Sequence, residues 1–125
     1  MGKRLLVLIG HGSRSQEWRK PFDALTHDLQ ATFGEEHVAL AFMELDNPRL
    51  GEVVKDAVEN GAEAISILPV FLSGGGHVKR DIETQVESLR GQYPDVTIEV
   101  LVSLGEQPLI GHAIRQLAQD IIGKT

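Results

Sequence analysis

No cysteine occurs among the 125 residues, and its absence removes disulfides, zinc ribbons, iron–sulfur clusters and thiol nucleophiles together. Any metal ligand must be a nitrogen or an oxygen, from histidine or a carboxylate. Long hydrophobic runs are also missing, since no segment approaches the roughly 20 apolar residues that cross a bilayer. The run near the start, residues 5–9, closes on Gly10-His11-Gly12 where a signal peptide would carry a cleavage site. A cytoplasmic protein without a membrane partner is the expectation. Positive charge is in deficit, with 12 Lys and Arg against 18 Asp and Glu and a formal net charge of −6, whereas a phosphate backbone requires a basic face. Nucleic acid is therefore not an expected partner, and an anionic ligand would need positive potential supplied locally.

What is present is ordinary globular material. Apolar residues make up 42% and charged residues 24% of the chain, enough to bury a core. With no linker or low-complexity stretch, residues 1–125 read as a single domain. Residues 5–9 (Leu-Leu-Val-Leu-Ile) are apolar on both sides and closed by glycine, as a strand covered on both faces would be. Trp18, Phe22, Leu25 and Leu29 recur at helical spacing, with Pro21 expected near the first turn of their helix. A second strand is predicted over residues 38–43, followed by a helix start at Asp46-Asn47-Pro48, where a capping side chain precedes a proline at the first helical position. Leu50, Val53, Val54, Ala57 and Val58 continue that helix to Asn60-Gly61. A third strand, residues 64–68, runs on into residues 69–72. Val78, Ile82, Val86 and Leu89 mark a third helix, residues 96–102 a fourth strand, and Leu109, Ile110, Ala113, Ile114, Leu117 and Ile121 a last helix.

The order βαβαβαβα predicts an α/β fold: a mostly parallel four-stranded sheet with helices on both faces, because right-handed crossovers return each helix over the sheet. Ligands of such sheets bind beyond the carboxyl ends of the strands. The loops there carry Gly10-His11-Gly12-Ser13-Arg14, Glu44 to Asn47, Ser73-Gly74-Gly75-Gly76-His77 and Ser103-Leu104-Gly105. A weak internal echo links two of them, since strand, glycine loop, histidine, cations and helix occur around His11 and again around His77 with Lys79 and Arg80.

Neutral imidazole is a good ligand for cobalt, nickel, iron or zinc, and near neutral pH it accepts a proton. A loop histidine can equally cap a helix or face solvent, but two on equivalent glycine loops at one sheet edge favour a shared task. His27, His37 and His112, on or beside predicted helices, read as surface residues. Gly10, Gly12 and Gly74 to Gly76 would permit positive φ and a close approach of backbone to ligand, at helix starts whose free amides suit an anion. Ser13, Arg14, Ser73, Lys79 and Arg80 could add donors for carboxylates, though each also fits a solvated turn. Glu44, at the end of strand two, is either a metal or proton acceptor or a plain helix-start acid.

Residues 8–14 (Leu-Ile-Gly-His-Gly-Ser-Arg), Phe42-Met43-Glu44 followed by Pro48, residues 68–82 and residues 104–109 resemble the short sirohydrochlorin chelatases of the cobaltochelatase family, over nearly the whole chain. The resemblance implies an ATP-independent class II chelatase with no tightly bound cofactor. It would insert cobalt, and also nickel or ferrous iron, into sirohydrochlorin on the way to cobalamin, sirohaem or a nickel tetrapyrrole. The family's paired histidines match His11 and His77, as metal-holding and catalytic residues, and its carboxylate matches Glu44. Where the family usually has proline after Asp-Ile, this chain has Glu83, which puts the start of the third helix in doubt. Short members are similar to one half of the longer chelatases, which implies a homodimer closing one cleft; a single sheet edge is a shelf rather than a pocket for so wide a ligand. Two other readings stay open at this stage. One is a non-catalytic metal or tetrapyrrole carrier; the other is a histidine-based phosphoryl-transfer enzyme, against which Gly10 stands where such enzymes place arginine.

Overall fold

The apolar run at residues 5–9 lies within the strand on which the sheet is built. In the computed structural model, which describes residues 2–73 and 75–123, β1 (Lys3–Gly10) pairs in parallel with β2 (Val38–Phe42) on one side and β3 (Ala62–Pro69) on the other. The fourth strand, β4 (Thr97–Val100), pairs in parallel with β3, giving the order β2-β1-β3-β4. Four helices alternate with the strands: α1 (Gln16–Phe33), α2 (Leu50–Glu59), α3 (Gly76–Gln92) and α4 (Pro108–Ile122). No helix among the described residues is long and apolar enough to cross a membrane.

Strand β1 is followed by its left-hand neighbour, and the chain then moves rightward twice. Right-handed crossovers in opposite directions must pass over opposite faces. The side chains of β1 sort accordingly. Leu5, Val7 and Ile9 point into a core with Leu50, Val53 and Val54 of α2 and Ile82, Val86 and Leu89 of α3. Leu6 and Leu8 face the other way, toward Trp18, Phe22 and Leu29 of α1. Against Phe42 of β2, α1 adds ring contacts from Trp18 and Phe22 and the Arg19 guanidinium 4.7 Å from the ring centroid.

Local signals were displaced in several places by tertiary partners. Helix α1 starts at Gln16 because Ser15 caps it, accepting from the Trp18 N–H, so Pro21 sits inside the helix and not in its first turn. At α2, Pro48 is not the first helical residue; the Asn47–Pro48 peptide is cis and the helix begins at Leu50 with Arg49 as N-cap. The Pro48 carbonyl accepts from Phe42 N–H, and Arg49 bridges to Phe42, so this stretch runs extended beside β2 before the helix can begin. Strand β3 ends at Pro69, and β4 covers only residues 97–100, although Val70 N–H still donates to Ile9 and Leu101 N–H to Ile67. Helix α3 runs unbroken through Glu83.

Candidate functional site

The chain reverses its direction of winding between β1 and β3, which are neighbours in the sheet, and such a switch point opens a crevice at the carboxyl ends of the two strands. The two glycine–histidine loops leave from there. Ile9 is in register with Pro69 and accepts from Val70 N–H, so the loops carrying His11 and His77 start side by side.

The loop after β1 is fastened to the loop after β2. Met43 N–H donates to the Gly10 carbonyl at 3.0 Å, and Glu44 N–H to the His11 carbonyl at 3.1 Å. Gly12 has φ 102°, and a Cβ there would overlap the Glu44 carbonyl oxygen, so glycine is required both by the backbone conformation and by the close approach. The chain then turns on Leu45, whose φ of 65° is uncommon for leucine. Asp46 completes the junction: its Oδ2 accepts from Ser13 N–H at 3.0 Å, and its Oδ1 lies 3.4 Å from Arg19 Nη1. Asp46, in the stretch expected to start α2, therefore holds the His11 loop instead.

His11 and Glu44 consequently line one cavity, with Met43 and with Asp81, Thr84 and Gln85 of α3. Both are exposed, and the His11 ring lies 5.1 Å from that of Phe71. His77 occupies the first turn of α3, four residues ahead of Asp81 and on the same helix side. It shares the sheet edge but does not line the His11 cavity. Among the described residues, no group of three or more His, Asp or Glu side chains is assembled into a metal cage.

The candidate anion donors fall into distinct positions. Arg14, Ser73, Lys79 and Arg80 are all exposed. Ser13 is half-buried and its hydroxyl accepts from Ser15 N–H, which commits it in part to the turn that opens α1. Gly74 lies outside the described residues. Gly75 is the N-cap of α3, with φ −50° and no side-chain cap, and Gly76 opens the helix. Neither has positive φ, and a Cβ would meet nothing at either position; of the expected loop glycines among the described residues, positive φ occurs only at Gly12. At Gly10 a Cβ would make only ordinary contacts, 3.4–3.5 Å from the Phe22 and Trp18 rings. Of the other histidines, His27 and His112 are exposed, while His37 Nδ1 lies 2.7 Å from the Arg4 carbonyl and ties the turn before β2 to β1.

Two groups of residues at this edge were not singled out as site residues in the sequence. Asp81 faces the His11 cavity, and its i, i+4 spacing from His77 was a readable signal. Leu45, Leu72 and Val102 are 51%, 81% and 54% exposed in the loops after β2, β3 and β4. Leucine and valine in loop positions at a ligand edge were the available clue to a partly apolar ligand.

The comparisons with known proteins agree with this geometry. The CbiX family model matches residues 5–121. A sirohydrochlorin cobaltochelatase from Methanopyrus kandleri is 42% identical over 77 residues, 62% of this chain and 54% of that protein. The sirohydrochlorin ferrochelatase of Bacillus subtilis is 25% identical over 95% of this chain and 46% of its own length. The matched stretch thus spans about half of each of these two relatives. The solved structure of a CbiX protein from Marinobacter aquaeolei VT8 superimposes with a TM-score of 0.81 at 30% identity, covering 98% of this chain and 99% of that one. With its parallel sheet, its switch-point loops and a family match over nearly its whole length, this chain belongs to the CbiX family.

Proposed function

We propose that this protein inserts a divalent first-row metal, cobalt or iron, and on ligand chemistry also nickel, into sirohydrochlorin. The observation that carries the reading is the junction that presents His11 and Glu44 at one cavity on the carboxyl edge of the sheet, in a chain of this family. Insertion is a balanced exchange: one dication enters the macrocycle and two pyrrole protons leave. A site that grips the ion with few ligands, close to a base, serves both halves, whereas a closed cage would retain the metal. In this reading His11 and His77 hold the ion and accept protons, and Glu44 assists either task. The amides at the start of α3, with Ser13, Arg14, Ser73, Lys79, Arg80 and the glycine loop of residues 74–76, receive the carboxylates of an acidic substrate. Phe71, Leu72 and Val102 offer apolar surface to its ring.

Two further elements belong to the proposal. Two copies form a homodimer whose ligand edges face one another and turn a shelf into a cleft. The protein works in the cytoplasm without a resident cofactor. The test mixes purified protein with sirohydrochlorin and cobalt, nickel or ferrous iron and follows the absorbance change against the spontaneous rate. Acceleration is expected for the wild type, with loss of about 10²–10⁴-fold in His11→Ala and His77→Ala. Binding without acceleration would make the protein a carrier, and a His11→Ala variant as fast as wild type would overturn the role of that imidazole.

A further inference from the structure

The alternation of side chains along β1 and β3 carries past the last residues paired in the sheet. Ile9 is in register with Pro69, and Ile9 faces the core shared with α2 and α3. Two residues further along each chain, at the side-chain period of a strand, stand His11 and Phe71. Leu68 and Val70 pack with the α1 cluster, whereas Phe71 packs with the opposite one, so the period still holds beyond the end of β3. His11 and Phe71 therefore meet as a cross-strand pair, with ring centroids 5.1 Å apart and planes inclined by 50°, within the range where aromatic rings attract.

The two members of the pair differ in freedom. Phe71 is half-buried against the core, and its backbone is tied on both sides. The Val70 N–H donates to the Ile9 carbonyl, and the Phe71 carbonyl accepts from the Gly105 N–H, each at 2.9 Å. A Cβ at Gly105 would overlap the Leu72 backbone, so the turn after β4 closes directly on this segment. His11, by contrast, is exposed, and among the described residues its imidazole makes no hydrogen bond or ion pair. A metal-bound histidine ordinarily donates its second ring nitrogen to a carboxylate or carbonyl, which sets the tautomer and orientation and raises the basicity of the ligand. At His11 a fixed phenyl ring stands where that acceptor would be expected.

We propose that Phe71 is a positioning residue for His11: its ring orients the imidazole at the cavity shared with Glu44 and leaves both ring nitrogens uncommitted. This deepens the role given to His11 in the proposed function and rests on it. An imidazole locked by a carboxylate would grip the ion harder, as suits a resident metal; one held through ring contact alone can take an ion and give it up. Phe71 also belongs to the segment that leads to His77, so the contact fixes one imidazole relative to the chain that carries the other.

The test compares Phe71→Leu, which keeps apolar bulk but removes the aromatic ring, with Phe71→Tyr, which keeps the ring. In the proton–carbon correlation spectrum of the 5 histidines, the signal absent from His11→Ala belongs to His11. That signal is expected to shift in Phe71→Leu, as the ring current is lost, and to stay in place in Phe71→Tyr, with His27, His37 and His112 unmoved in both. With cobalt and sirohydrochlorin, Phe71→Leu is expected to lower kcat by about 10–100-fold at unchanged KM for sirohydrochlorin, because leucine still offers the macrocycle an apolar surface. Phe71→Tyr should restore the rate. Urea denaturation of both variants isolates any packing effect. A Phe71→Leu protein that is less stable yet keeps the wild-type rate and His11 signal would reduce Phe71 to a core residue and overturn the proposal. A Phe71→Tyr protein as slow as Phe71→Leu would overturn it as well. A wild type that accelerates nothing would sink the chelatase reading, and the His11 signal would still decide whether Phe71 positions the imidazole.

Discussion

At Gly12 the site depends on one missing methyl group. Its φ of 102° and its contact with the Glu44 carbonyl bring the His11 and Glu44 backbones within one hydrogen bond of each other. Gly12→Ala is therefore expected to destabilise the fold by about 2–3 kcal/mol, measured by urea denaturation, and to slow metal insertion by displacing His11 from the cavity it shares with Glu44. A variant of wild-type stability and rate would show that the junction tolerates the clash. The histidines themselves were legible, because imidazole beside glycine at a strand end is unusual in a chain with only 5 histidines and no cysteine. Asp81 was not singled out, since a charged residue on a helix ordinarily reads as a solvated face.

Among the elements, α2 shows how a local signal is overruled. Asp46-Asn47-Pro48 has the chemistry of a helix start, yet Asp46 bonds to Ser13 and Arg19, and Pro48 accepts from Phe42. An aspartate side chain can cap the helix that follows it or join a neighbouring loop, and spacing along the chain does not distinguish the two. Asp46→Ala is expected to cost about 1–3 kcal/mol, chiefly through the Ser13 amide left without its acceptor, since Arg19 keeps Asp23 and the Asn47 carbonyl. Helix α2 should persist, since its N-terminus is closed by Arg49 and Glu52. Thermal unfolding, with hydrogen exchange at Ser13 as the local probe, separates this from loss of a cap, which would instead release the first amides of α2. Where burial is two-sided or a stripe is strong, as in β1 or in α3 with Ile82, Val86 and Leu89, the elements were found within a few residues of their true ends.

For the whole molecule, the order β2-β1-β3-β4 matters most, because it puts the strands that lead to His11 and His77 beside each other at the switch point. If two copies form the proposed homodimer, association adds to stability, and the midpoint of thermal unfolding should rise with protein concentration. A midpoint constant over a hundredfold dilution would mean that each chain is stable alone. The amphipathic stripe of α4 was evident in the sequence, but a stripe specifies only that some apolar surface must cover it. By itself the sequence determined the alternation of strands and helices and which loops bear the imidazoles, because periodicity, glycine and proline act over a few residues. Strand order, the pinning of the His11 loop by Asp46 and an α4 with no buried residue were decided by the tertiary structure alone, since each depends on groups tens of residues apart competing for the same hydrogen bonds and the same apolar surface.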